Sequence, residues 1–224
     1  MKILSILLAL VAAAPLAAQQ PALPNNGPFT QPPQLLNRDE VQRLAEASYP
    51  AELKAQGFGG TPTVRLFVDA DGTVKQVRLD RSSALPPLDS AALKVAEAMR
   101  FAPARDGDRP VHLWITLPVE FSLNLPTPTA VATPPRTANL YDVEREIGRV
   151  LNDRQLRHDR NPIVRIYVGA DGVPQAFDLA EPSGDRGLDY AALRAAMKAR
   201  FEPARDAAGQ PVAVWVRVEV RPHR

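Results

Sequence analysis

Apolar residues along this chain follow two periods in turn. Thr63–Val68 reads Thr-Val-Arg-Leu-Phe-Val, which puts Val64, Leu66 and Val68 on one side, the period of two of a half-buried strand. Asp71-Gly72 follows as a hairpin signal, because a primed turn needs positive φ and Asp-Gly supplies it. Residues 74–80 return as a second strand with Val77 and Leu79 inward. The period then lengthens. Leu88, Ala92, Val95, Ala96 and Met99 form one stripe of a helix that Asp89 is placed to cap and that runs to residue 100. Phe101-Ala102-Pro103-Ala104 stops it, since proline cannot continue the backbone bonding. Residues 111–121 resume strict alternation as a third strand, with Val111, Leu113, Ile115, Leu117, Val119 and Phe121 inward. Upstream, Asn37-Arg38-Asp39-Glu40 opens a helix toward Ser48 with Val41, Leu44 and Ala45 on its apolar face.

The whole pattern occurs twice. Val64-Arg65-Leu66-Phe67-Val68-Asp69-Ala70-Asp71-Gly72 returns as Val164-Arg165-Ile166-Tyr167-Val168-Gly169-Ala170-Asp171-Gly172. Leu88-Asp89-Ser90-Ala91-Ala92-Leu93 returns as Leu188-Asp189-Tyr190-Ala191-Ala192-Leu193, and Arg100-Phe101-Ala102-Pro103-Ala104-Arg105-Asp106 as Arg200-Phe201-Glu202-Pro203-Ala204-Arg205-Asp206. One residue is inserted before Gly209, so that Trp114 aligns with Trp215. The expected fold is therefore α+β, two tandem copies of an α-β-β-α-β domain. A hairpin followed by a crossover helix brings the third strand back beside the first, giving a three-stranded antiparallel sheet of order 2-1-3 with helices on one face. Residues 37–121 and 139–222 are assigned to the two domains, residues 19–36 to a Pro-containing tether and residues 122–138 to a semi-rigid Pro/Thr/Ala linker without helical or strand period.

The second face of each sheet holds large residues. Copy 1 places Arg65, Phe67, Arg78, His112, Trp114 and Thr116 there, and copy 2 places Arg165, Tyr167, Trp215 and Arg217. Aromatic side chains on such a face need a cover. The two repeats or two chains packing face to face, a bound partner, and shielding by neighbouring arginine stems all supply one.

Composition narrows the function. Forty-five per cent of the 224 residues are hydrophobic and 23% charged, which suits a globular chain. The net charge of +2 comes with no long Lys/Arg run, so nucleic acid is excluded as a partner. No cysteine is present, which removes disulfides, thiolate metal sites and thiol nucleophiles. Lys2, the apolar run over residues 3–14 and the small residues Ala17 and Ala18 describe a secretory signal peptide over residues 1–18. The run is too short for a spanning helix, and no later stretch could span a bilayer, so the mature chain is expected in the periplasm without a transmembrane helix. The alternative is an uncleaved inner-membrane anchor.

Several chemical signals are weak. The Asp69-Ala70-Asp71-Gly72 turn lacks the further acids of a calcium loop, and copy 2 has Gly169 in place of Asp69. His112, His158 and His223 have no equivalents between copies and no partners at metal-ligand spacing. No nucleophile elbow or phosphate loop occurs. What both copies share is turn, cap and core, so no enzyme, metal or cofactor is expected.

Taken in order, Tyr49-Pro50, the Thr63–Val68 strand, Asp71-Gly72, Leu88-Asp89-x-Ala91-Ala92-Leu93, Arg100-Phe101-x-Pro103-Ala104 and the closing Pro118-Val119-Glu120-Phe121 resemble the TonB C-terminal domain family. Copy 2 resembles it too, with Arg154-Gln155-Leu156-Arg157 where copy 1 has Tyr-Pro. The resemblance implies a periplasmic protein-binding module that captures a short extended segment of an outer-membrane transporter as an added strand, within transmembrane transport. Its acceptor would be the edge strand of each copy, through His112, Trp114, Thr116 and Pro118 in copy 1 and Ala213, Trp215, Arg217 and Glu219 in copy 2. Pro118 fits an edge only if its missing donor faces outward. Copy 2 keeps a donor at Glu219 and is expected to be the better acceptor. The short leader and brief tether differ from an anchored energy transducer and point to a soluble adaptor. A structural envelope protein that self-associates as a homodimer or binds cell wall is the other reading.

Overall fold

The computed structural model describes residues 28–126, 130–139, 142–143, 145–146 and 160–221. The expected signal peptide, most of the first helix of copy 2 and residues 154–157 lie outside the described residues.

Repeat 1 runs β1 (Gln34–Leu35), α1 (Arg38–Ser48), α2 (Ala51–Ala55), β2 (Thr63–Val68), β3 (Val74–Arg81), α3 (Pro86–Glu97), β4 (Phe101–Ala102), β5 (Ala104–Asp106), β6 (Arg109–Val111) and β7 (Leu113–Pro118). Repeat 2 runs β8 (Arg136–Thr137), β9 (Ile163–Val168), β10 (Pro174–Glu181), α4 (Arg186–Ala196), β11 (Phe201–Glu202), β12 (Ala204–Arg205), β13 (Pro211–Val212) and β14 (Val214–Glu219). The main sheets are antiparallel, ordered β3-β2-β7 and β10-β9-β14, which is the 2-1-3 order read from the periods. Val64, Leu66 and Val68 pack with Leu88, Ala92, Val95 and Ala96 of α3. Val164, Ile166 and Val168 pack in the same way with Leu188, Ala192 and Leu193 of α4.

Local chemistry changes several expected elements. The hairpin turn is not a primed one. Gly72 N–H bonds to the Asp69 carbonyl, and Gly72 is the one residue of that turn with positive φ, at 82°. The turn is therefore type I followed by a left-handed glycine, with Asp71 Oδ1 accepting the Thr73 N–H and hydroxyl. Glycine is required there twice over, because a Cβ would lie 1.8 Å from the Phe101 carbonyl oxygen. Asp89 does not cap α3, which begins three residues earlier at Pro86. Its buried carboxylate reaches back to Ser83, accepting the N–H at 2.8 Å and the hydroxyl at 2.8 Å, and it also takes the Ser82 hydroxyl. Asp189 accepts the Ser183 N–H at 2.7 Å in the second copy, where Asp185 is the true cap through Leu188 N–H. The expected strand over residues 111–121 breaks at His112. Val111 belongs to the β5–β6 hairpin, and β7 ends at Pro118.

The stretches read as tether and linker also contain pairing. Gln31-Pro32-Pro33 and Thr133-Pro134-Pro135 each lead into a two-residue strand, β1 on β4 and β8 on β11. Asn37 then ties the helix exit, donating to the Ala98 carbonyl and accepting the Arg100 N–H, and Asn139 does the same with Lys198 and Arg200. A two-residue strand has no period to display, and Pro-Pro masks it as spacer.

The repeats touch through residues 57–60. Gly59 N–H donates to the Phe177 carbonyl at 2.9 Å and Phe177 N–H to the Gly57 carbonyl at 2.8 Å, so this segment lies parallel along the outer edge of β10. Phe58 is buried with its ring 5.4 Å from that of Phe177. Gly57 sits at φ +78°, and a Cβ there would come 2.2 Å from the Gln175 carbonyl oxygen.

Candidate functional site

Sheet geometry makes β7 and β14 edges. Val119 N–H donates to the Pro62 carbonyl at 2.9 Å and continues the β2–β7 register, so residues 113, 115, 117 and 119 direct their backbone groups into the sheet. Trp114, Thr116 and Pro118 direct theirs outward. The proline thus removes a donor only on the open side. Val220 N–H bonds to the Pro162 carbonyl in the same manner, which turns Trp215, Arg217 and Glu219 outward on β14. Among the described residues no strand pairs with either open side. In the outward row stand Trp114 and Thr116 in repeat 1, and Trp215, Arg217 and Glu219 in repeat 2.

A groove of about 810 Å³ runs along β7. Its far wall is Phe29, Pro33 and Leu35 of the segment before α1 together with Val41 and Ala45 of α1, and Met99 lies in its floor. Phe29 and the Pro-Pro pair were not legible as wall residues, because their placement depends on the unexpected β1–β4 pairing.

Other expected acceptors are scattered in role. His112 precedes β7 and stacks at 5.4 Å on Phe67, and Ala213 lies in the step between β13 and β14. Arg217 pairs with Glu181 across the sheet. Glu219 accepts from Asn161 and Arg221, and the Asn161 bond leads in holding its carboxyl below the usual range.

The aromatic faces are not open. Phe67, Trp114 and Tyr167 are 4%, 8% and 1% exposed. In repeat 1 the guanidinium carbons of Arg65 and Arg78 both lie 5.1 Å from the Trp114 ring centre, so arginine stems cover the ring. In repeat 2 the cover is repeat 1 itself. Residues 121–126 continue from β7 across the sheet, and the Tyr167 hydroxyl donates to the Pro126 carbonyl at 3.1 Å. Beneath them Arg165 stacks at 4.7 Å on Trp215 and bonds Asp178 in a forked pair, with Glu120 on the wall of the same crevice. The Asp178 bond raises the Arg165 pKa further, and Glu120 adds to it. Tyr49 closes the junction. Its hydroxyl donates to the Phe58 carbonyl at 2.8 Å, and its ring meets Phe121 edge-on at 5.4 Å. Burial, with the Asp178 charge second, pushes its pKa up to about 12.

Among the described residues no group of three or more His, Asp or Glu could hold a metal ion, and no helix is long and apolar enough to cross a membrane.

The model of the family described as Gram-negative bacterial TonB protein C-terminal matches residues 45–123 and 154–221, more than half of the chain. Protein tonB2 of Pseudomonas aeruginosa is 36% identical over 76 residues, covering 34% of this chain and 28% of that protein. The chain therefore spans little more than a quarter of that relative's length. The NMR structure of the Helicobacter pylori TonB C-terminal domain is similar at 24% identity, covering 40% of this chain and 82% of that one, with a TM-score of 0.28.

Proposed function

This chain belongs to the family of Gram-negative bacterial TonB protein C-terminal domains, and on that premise we propose that it is a periplasmic module that takes up extended segments of outer-membrane transporters by strand addition. The family is one of protein interaction and transport energy transduction, not of catalysis. The observation that carries the proposal is that β7 is an edge strand among the described residues, with the outward N–H of Thr116 beside an apolar groove. An added strand bonds along that edge, and its alternate side chains enter the groove. The β14 edge repeats the row with one more donor, which favours repeat 2 where register decides affinity. A role in transport follows from such capture, whether the chain acts as an adaptor or within a coupled assembly.

The test uses proline at outward positions, where the fold already accepts Pro118. Thr116→Pro and Arg217→Pro each delete one outward donor and spare the bonds to β2 and β9. The double variant should keep its melting temperature within a few degrees and lose binding of a transporter-derived peptide in calorimetry. Unchanged affinity in a folded double variant rules out strand addition at these edges. A dimer of the wild type that the double variant abolishes would favour self-association instead.

A further inference from the structure

Equivalent positions of the two repeats differ in charge at one cross-strand pair. In repeat 2, Arg165 of β9 stands opposite Asp178 of β10. In repeat 1, Arg65 of β2 stands opposite Arg78 of β3. Like charges directly opposite destabilise a sheet, yet both guanidiniums gather on the Trp114 ring, each 5.1 Å from its centre. Both arginines are exposed, and among the described residues neither has a carboxylate partner. Repeat 2 shows what satisfies such a surface. There a guanidinium on an indole holds the Asp178 carboxylate in a forked pair, and the segment of repeat 1 after β7 lies over it and brings in Glu120.

We propose that Arg65, Arg78 and Trp114 form a docking surface for an extended acidic segment of a partner protein, which presents side-chain carboxylates to the two guanidiniums. Arginine favours this because its planar fork pairs with carboxylate oxygens while its face remains on the ring. The occupant is not a second copy of this chain bound by the matching tail. Arg221 aligns with Glu120, so the segment that follows β14 would bring like charge to the arginines. The surface uses side chains on the sheet face, whereas strand addition uses the backbone along the β7 edge, so its use does not depend on strand addition.

The test is calorimetric titration of the full chain with a short peptide alternating Glu and Ser, against the same peptide with Gln for Glu. The Trp114 indole and the Arg65 and Arg78 Nε–H signals are followed by NMR. The Glu peptide should bind at least about tenfold more tightly, a difference of ~1.4 kcal/mol, with affinity falling as salt rises. Arg78→Asp installs the pairing of repeat 2 and should abolish binding with the melting temperature at or above that of the wild type. Should that variant not fold, Arg65→Gln decides the matter by the same loss. Equal binding of the two peptides, no binding of either, or binding retained in folded Arg78→Asp each overturns the proposal.

Discussion

Replacing Phe58 with alanine tests whether the two repeats are one cooperative unit. Phe58 is 1% exposed, lies against Phe177 of the other repeat, and is the middle residue of the segment paired with β10. Truncating a buried phenylalanine costs about 3–5 kcal/mol, of which the ring pair contributes roughly 0.5–1.5. For a chain of this length 1 kcal/mol moves the midpoint by roughly 2–4 °C, so a single transition should fall by about 6–20 °C. More telling is its shape. The chain has two tryptophans, Trp114 in repeat 1 and Trp215 in repeat 2, so Trp215→Phe and Trp114→Phe each leave one repeat with its own fluorescence reporter. Urea unfolding followed by either reporter should coincide in the Phe58 background and separate in Phe58→Ala. Two separate transitions already present with Phe58, or a loss below about 1 kcal/mol on truncation, would refute coupling through this contact.

Three further outcomes follow from the same geometry. Gly72→Ala and Gly172→Ala should each destabilise by more than the ~1 kcal/mol usual for alanine at positive φ, read by urea melts, because the new methyl meets the carbonyl of Phe101 or Phe201 at 1.8 and 2.1 Å. Asp89→Ala should cost about 2–4 kcal/mol in thermal unfolding, since it strands the buried Ser83 N–H and hydroxyl, while Asp89→Asn recovers part of the loss. Tyr49 titrates near 12 against an ordinary value of about 10. Its raised pKa favours the protonated form in the folded state, so the stabilisation is complete below about pH 10 and is lost as pH rises toward 12. The alkaline fall in stability should therefore be shallower in Tyr49→Phe, and the wild-type phenol absorbance should show one late-titrating tyrosine that the variant lacks.

Sheet order, both hairpins and both crossover helices were legible because they rest on periodicity, and the repeat checked each reading against a second copy. What escaped had no period. Two-residue strands β1 and β8 follow Pro-Pro, and their pairing partners lie beyond the hairpin and the crossover helix in sequence. Residues 57–60 also lack a period, and there the buried ring of Phe58 lies between glycines that approach another backbone closely. Asp89 has the residue type of a cap, but Pro86 takes the first helical turn and frees the carboxylate to staple the preceding loop. On the site, alternation placed Trp114, Thr116 and Pro118 on one side of β7, and the outward direction of their backbone follows from the Val119–Pro62 bond. The cover on the aromatic faces was foreseen as a need with three sources left open, and arginine side chains supply it in repeat 1 and the segment after β7 in repeat 2. Register pairs Arg65 with Arg78 and Arg165 with Asp178, so the contrast between the repeats was written in the chain once the hairpin register was known.

The central claim is that an extended partner segment joins the open edges, and backbone amide NMR of the full chain during titration with an outer-membrane transporter peptide tests it most directly. The expected result is a set of shifts at Thr116, or at Trp215, Arg217 and Glu219, with those amides becoming protected from exchange while residues 113, 115 and 117 keep the protection they already have. Shifts confined to other surfaces, or none at saturating peptide, would contradict the account.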